Sequence, residues 1–140
     1  MLAAGPAFSA YAPAGVSMPN STPTKIAFAT KDFDTNTNFD TTTSRFTPTV
    51  AGYYQVTATI TAPVSAGAYF NALIYKNGVA WASSVLSAAI GIYVAQVSSL
   101  VYCNGATDYI EIYGSQSTGG TVTSGTGTMY KFQAALVRPA

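Results

Sequence analysis

The chain has 140 residues, of which 8% are charged, and a formal net charge of +1. That length can bury about two-thirds of the unfolded surface, but so small a charge leaves no basic footprint for nucleic acid or an anionic membrane. Histidine is absent and there is one cysteine, which excludes an intrachain disulfide, Cys/His metal sites and Cys/His nucleophile pairs.

Met1 to Gly5 reads as a short lead-in without the basic and apolar regions of a signal peptide. No run of about 20 apolar residues, the length needed to cross a bilayer as a helix, follows anywhere in the chain, so no membrane insertion is expected. Phe8 to Tyr11 predicts a first strand with Phe8 and Ala10 inward. Pro13 to Pro23 is a Pro/Gly/Ser/Asn-rich loop with a short strand at Val16–Met18, and it carries a glycosylation sequon at Asn20-Ser21-Thr22 that has no meaning without export. Lys25 to Ala29 predicts a strand with Ile26 and Phe28 inward.

Asp32-Phe33-Asp34-Thr35-Asn36 imitates the start of a calcium loop. Thr37 and Thr43, however, occupy the positions that need Gly and a bidentate Glu. The expectation is a turn capped by Asp and Asn side chains, anchored to the core by Phe33 and Phe39.

Gly52 to Ile60 alternates with period two, Tyr54, Val56, Ala58 and Ile60 on one side and Tyr53, Gln55, Thr57 and Thr59 on the other. Pro48, which lacks a backbone donor, belongs at the turn before it. A loop at Ala62–Gly67 leads to a strand at Tyr69–Tyr75. Asn77-Gly78 supplies the positive φ of a type I′ hairpin turn, and Trp81–Leu86 is the returning strand. A small-residue break follows at Ala88–Gly91.

Tyr93–Cys103 alternates again, with Cys103 as a small buried hydrophobe, and Asn104-Gly105 turns the chain into Tyr109–Tyr113. There Ile110 and Ile112 point in while Tyr109, Glu111 and Tyr113 point out. Gly114–Thr128 is low in complexity and too poor in apolar area to pin itself down. Tyr130–Val137 closes the chain, with Phe132, Ala134 and Leu136 inward. Eight to ten strands without a helical period argue for an all-β antiparallel sandwich or jelly roll. Its core is assigned to Phe8, Phe28, Phe39, Tyr54, Val56, Ile60, Ile110, Ile112, Phe132 and Leu136.

The string Phe39-Asp40, Thr43-Ser44-Arg45-Phe46-Thr47-Pro48, Ala51-Gly52-Tyr53-Tyr54 resembles the signature of the C1q/TNF-like jelly-roll domain. Further landmarks follow in family order: Ala7-Phe8-Ser9-Ala10, Lys76-Asn77-Gly78, Asp108-Tyr109-Ile110-Glu111-Ile112 and Phe132-Gln133-Ala134-Ala135-Leu136. The resemblance spans residues 6–138. It departs at Thr107-Asp108, where the family has Gly-Asp, at Ala134 in place of a Gly, and in having no collagen-like stalk. It implies a C1q-like domain that forms homotrimers, with aromatic residues packed against their copies near a threefold axis. Tyr53, Tyr102, Tyr109 and Tyr113, all on the outward phase, are the residues assigned to that interface.

Five acidic residues without a histidine give no catalytic constellation, so the chain is read as non-catalytic and without a cofactor. The expected role is a trimeric virion structural protein, a bacteriophage capsid decoration or cement protein at the virion surface, partnered by itself and the major capsid protein. A virion protein reaches the outside by lysis, and a stalkless chain from Met1 fits a small complete gene product. The alternatives are a receptor- or glycan-binding knob on a tail fibre stalk, reading a host-surface glycan, and a C1q-like binding module from a longer extracellular or cell-surface protein.

Overall fold

The computed structural model describes residues 5–87 and 89–140, so the expected lead-in lies, but for Gly5, outside the described residues. The strands are β1 (Ala7–Ala12), β2 (Ser17–Met18), β3 (Thr24–Lys25), β4 (Thr30–Asp34), β5 (Phe39–Asp40), β6 (Arg45–Phe46), β7 (Gly52–Val64), β8 (Tyr69–Lys76), β9 (Val79–Ser87), β10 (Gly91–Cys103), β11 (Ile110–Gln116), β12 (Val122–Thr123) and β13 (Gly127–Pro139). Among the described residues there is no helix.

Two antiparallel sheets face each other. The first has the order β10-β7-β13-β1-β4, the second β5-β6-β11-β8-β9 with β3 beside β11, and β12 pairs with β2 at one end. Such non-sequential ordering is the jelly-roll way of covering two apolar faces with one chain. The long strands carry the alternation that the sequence shows. Along β7, Tyr54, Val56, Ala58 and Ile60 are buried against the second sheet while Tyr53 and Gln55 are exposed.

The middle of the core is aromatic. The Phe8 ring lies 4.5 Å from Phe39, 4.6 Å from Phe46 and 4.8 Å from Phe132 (centroid distances). Tyr54 packs edge-on to Phe46 at 5.5 Å and donates its hydroxyl to the Val50 carbonyl at 2.7 Å, so its one polar atom is satisfied inside. Phe28, Ile110 and Ile112 are fully buried, and Leu136 is half-buried at the margin. At the β8–β9 turn Asn77 and Gly78 both have positive φ, +52° and +79°, as the type I′ geometry requires.

Several expectations are corrected. The segment 32–34 belongs to a strand rather than a turn: β4 pairs with β1, Phe33 opposite Ser9. Phe33 therefore falls on the outward phase and is 50% exposed, while Phe39 alone goes into the core. Ile26 and Phe28 are buried as expected, but in an irregular stretch between β3 and β4.

The Gly114–Thr128 segment is pinned after all, by polar rather than apolar contacts. β11 continues through Gly114 to Gln116, whose buried side-chain amide donates to the carbonyls of Met18 and Gly120, both at 2.9 Å, and accepts from the Thr118 backbone. Ser124 is buried too. Its hydroxyl accepts from the Val16 amide at 2.8 Å, and its own amide donates to the Val16 carbonyl.

Candidate functional site

Each acidic side chain already has a structural task. Asp32 accepts from Ser9 Oγ at 2.7 Å and pairs with Lys131. Asp34 pairs with Lys31 and accepts two backbone amides, and Asp40 accepts from Thr42 and Thr43. Asp108 takes Asn77 Nδ2 at 2.8 Å, the Asn104 amide at 3.0 Å and Lys76 Nζ at 3.0 Å. Hydrogen bonds to the charged form hold Asp32, Asp40 and Asp108 below the usual carboxylate range, from Lys131, Thr43 and Asn77 respectively. Glu111 is buried on the outward side of β11, its Oε1 3.0 Å from Arg45 and 3.3 Å from Lys25.

Among the described residues no three His, Cys, Asp or Glu side chains converge. Burial pushes the Cys103 thiol up to about 11, which keeps it in the unreactive thiol form at neutral pH. Nor does any helix among the described residues have the length and apolarity to cross a membrane.

What the molecule does present is an apolar flank. β9 and β10 are the end strands of the two sheets and pack against each other along one edge of the sandwich. From Asn77 through Thr107 the sequence has no charged residue. Of the twelve large exposed hydrophobics among the described residues, eight lie on these two strands and their connection, including Trp81, Val85, Ile90, Ile92, Val94 and Leu100. The opposite edge is built differently, with Lys31, Asp32 and Asp34 on β4 and Asp40 on β5. Charges on a strand edge block pairing with another chain, whereas a long uncharged edge invites it.

The four tyrosines form two pairs on different sheets. Tyr53 and Tyr102 are directly opposed on β7 and β10, on the outer face of the first sheet, with ring centroids 5.4 Å apart. Tyr109 and Tyr113 lie on the second sheet's side, each against its own chain. The Arg45 guanidinium covers the Tyr109 ring at 3.7 Å, and Tyr113 stacks on Tyr75 at 4.0 Å. Alternation along a strand gives the phase of a side chain but not the sheet it ends up in, so sequence could not sort them. Read one strand at a time, the flank's residues are ordinary strand hydrophobes, and periodicity does not mark them as one surface. The signal that marks it is the charge-free run.

A polar row crosses the outer face of the first sheet between its apolar ends: Ser98, Thr57, Gln133 and Ser9 are aligned across β10, β7, β13 and β1. Gln133 Nε2 donates to Ser9 Oγ at 3.1 Å and Gln55 Nε2 to Ser98 Oγ at 2.7 Å. Two basins open near the flank. One, of about 550 Å³, is lined by Pro63, Val64, Ile90, Ile92, Thr118 and Val122; the other, of about 510 Å³, by Tyr53, Tyr102, Arg138, Pro139 and Ala140.

No protein-family model matches the sequence, and no curated protein matches it in sequence. Solved structures do match in fold. The globular domain of zebrafish complement 1qA superposes with a TM-score of 0.70 at 17% identity, covering 96% of this chain and 99% of that one. Eiger TNF from S. frugiperda gives 0.70 at 10% identity, over 98% and 96%. The PRD1 vertex protein P5 gives 0.65 at 15% identity, over 98% and 100%. The chain has the C1q/TNF-like jelly-roll fold along nearly its whole length.

Proposed function

We propose that this C1q/TNF-like chain is a non-catalytic homotrimeric structural protein of a virion, a decoration or cement protein of a phage capsid that contacts the major capsid protein at the particle surface. The assembly part rests on one observation above all, the apolar flank of β9 and β10, two strands that carry no charge of their own and have only the Lys76–Asp108 pair at one end. The flank and the charged β4–β5 edge are unlike surfaces, so copies meet flank to face rather than flank to flank. A contact between two different patches closes into a ring when the rotation permits. The outer face of the first sheet beyond β10, on β7, β13 and β1 with Tyr53 at its near edge, is the receiving surface, and its scarce charge keeps the desolvation cost of contact low. Tyr109 and Tyr113 lie at the margin of this contact. The virion part is supported by the likeness to the PRD1 vertex protein P5.

A glycan-reading knob on a tail fibre stalk, or a C1q-like binding module of an extracellular protein, is the second reading, favoured by the open basin beside Ile90 and Ile92 at the loop end of the sandwich.

Sedimentation at micromolar concentration should give a particle of ~43 kDa, three chains of 14.5 kDa. A monomer that persists at high concentration would defeat the assembly reading. Purified protein added to capsids stripped of their decoration should rebind at threefold positions. Saturable binding to a host glycan with no affinity for capsids would replace the cement reading by the knob.

A further inference from the structure

Among the described residues Arg138 has no ion partner, and an irregularity in the last strand carries it to a defined place. The other five cations, Lys25, Lys31, Arg45, Lys76 and Lys131, are all in ion pairs within the chain. β13 keeps step with β7 as far as Leu136, which opposes Tyr54; the register then shifts and Arg138 opposes Tyr53. Val137 is the extra residue of a β-bulge. Without it Arg138 would keep the inward phase of Leu136 and Tyr54, because a one-residue slip exchanges the faces of a strand.

The bulge thus places the guanidinium on the outer face, in a row of three across β10, β7 and β13: Tyr102, Tyr53, Arg138. The two rings are tilted by 58°, and with Pro139 and Ala140 the three residues line the basin of about 510 Å³. The polar side-chain groups of this row are a guanidinium, which only donates, and two phenols, which can donate; the carboxylate that ends the described chain at Ala140 borders the same basin but makes no ion pair with Arg138. Such a set suits a ligand that only accepts, and the planar fork of arginine matches an oxyanion with two parallel hydrogen bonds.

We propose that Tyr102, Tyr53 and Arg138 form a binding site for a tetrahedral oxyanion, phosphate or sulfate, and that filling it strengthens assembly. The site stands on the geometry of one chain. The coupling rests on the trimer reading, in which Tyr53 and Tyr102 lie at the contact between copies. Each copy then brings one unpaired guanidinium to a contact with its neighbour's uncharged strands, and a bound anion neutralises the charge that this contact would otherwise desolvate. A ligand that binds the assembled form preferentially shifts the equilibrium toward it by mass action.

The test titrates inorganic phosphate, with sodium chloride at matched ionic strength, into the full chain and into its Arg138→Gln variant. Calorimetry, thermal melting and sedimentation are the readouts. Phosphate should bind the parent saturably and raise its melting midpoint by about 2–4 °C near saturation, with neither effect in R138Q. Arg138→Lys, which keeps the charge but loses the fork, should bind ~tenfold more weakly. Circular dichroism checks that the variants fold. Equal stabilisation by chloride, or an effect that survives in R138Q, overturns the site. Arg138-dependent binding by a protein that sediments as a monomer supports the site and overturns both the coupling and the trimer reading. Arg138-dependent binding that leaves trimer dissociation unchanged overturns the coupling alone.

Discussion

Phe132 touches Phe8, Phe28 and Phe39 and is fully buried. Truncation to alanine leaves a cavity that rigid neighbouring rings cannot fill, so Phe132→Ala should cost about 3–5 kcal/mol in urea unfolding; a loss below ~1 kcal/mol would mean the cluster repacks freely. The titrating residues set the pH profile. Asp32, Asp40 and Asp108 have lowered values in the folded chain. Their contribution is therefore complete above the ordinary carboxylate value of 3.8 and is lost as pH falls below it. Tyr54 and Cys103 shift the other way, burial raising them to about 12 and about 11 from 10.0 and 9.0. Their contribution is present below the ordinary values and fades as pH rises from there toward the raised ones. With no histidine in the chain, the melting temperature should stay level from about pH 5 to pH 8 and fall on both sides. A transition centred near pH 6.5 would contradict this assignment.

At the scale of elements, what sequence reveals depends on how local the cause is. The inward set of β7 and the Asn77-Gly78 turn are written in adjacent residues, and both were legible. The 114–128 segment was not, because Gln116 and Ser124 find their partners at Met18 and Val16, about a hundred positions away. Composition sees a flexible loop; the fold supplies the acceptors. Gln116→Ala should cost about 1–3 kcal/mol by leaving the Met18 carbonyl buried without its donor. Removing Ser117–Gly125 should lower the melting temperature measurably, since β12 and its pairing with β2 go with it. Unchanged stability in both variants would restore the view of a passive loop. Phe33 failed for the same kind of reason: its exposure follows from pairing opposite Ser9 on β1, a long-range register that no local pattern records. Of the candidate interface, the outward phase of Tyr53 and Tyr102 was legible, whereas the flank was not, because it forms only where β9 and β10 of different sheets meet.

For the whole molecule, the two edges of the sandwich behave as opposites. A carboxylate placed on the apolar edge should act on assembly and spare the fold. Ile92 and Val94 are 76% and 51% exposed, so an Ile92→Asp, Val94→Asp double variant loses little apolar burial within the chain, and exposed substitutions commonly shift stability by only ~0.5 kcal/mol each. Circular dichroism should remain that of the parent, while sedimentation should move from trimer to monomer. A double variant that stays trimeric would remove the flank from the interface.

β13, synthesised after the other twelve strands, does not lie at a margin. It sits in the middle of the first sheet, hydrogen-bonded to β7 on one side and β1 on the other. Until it leaves the ribosome, β1 and β7 face each other across a gap one strand wide, and neither sheet can close over the aromatic cluster. The jelly roll thus closes only once β13 has emerged, in one late step that pairs it with β1 more than a hundred residues away. Topologies of that kind fold in milliseconds to seconds. During that interval the uncharged edge of β10 is exposed together with the open margins of the gap. Expression should therefore be limited by aggregation before completion, and slower synthesis or lower temperature should raise the yield of folded protein without changing its final stability.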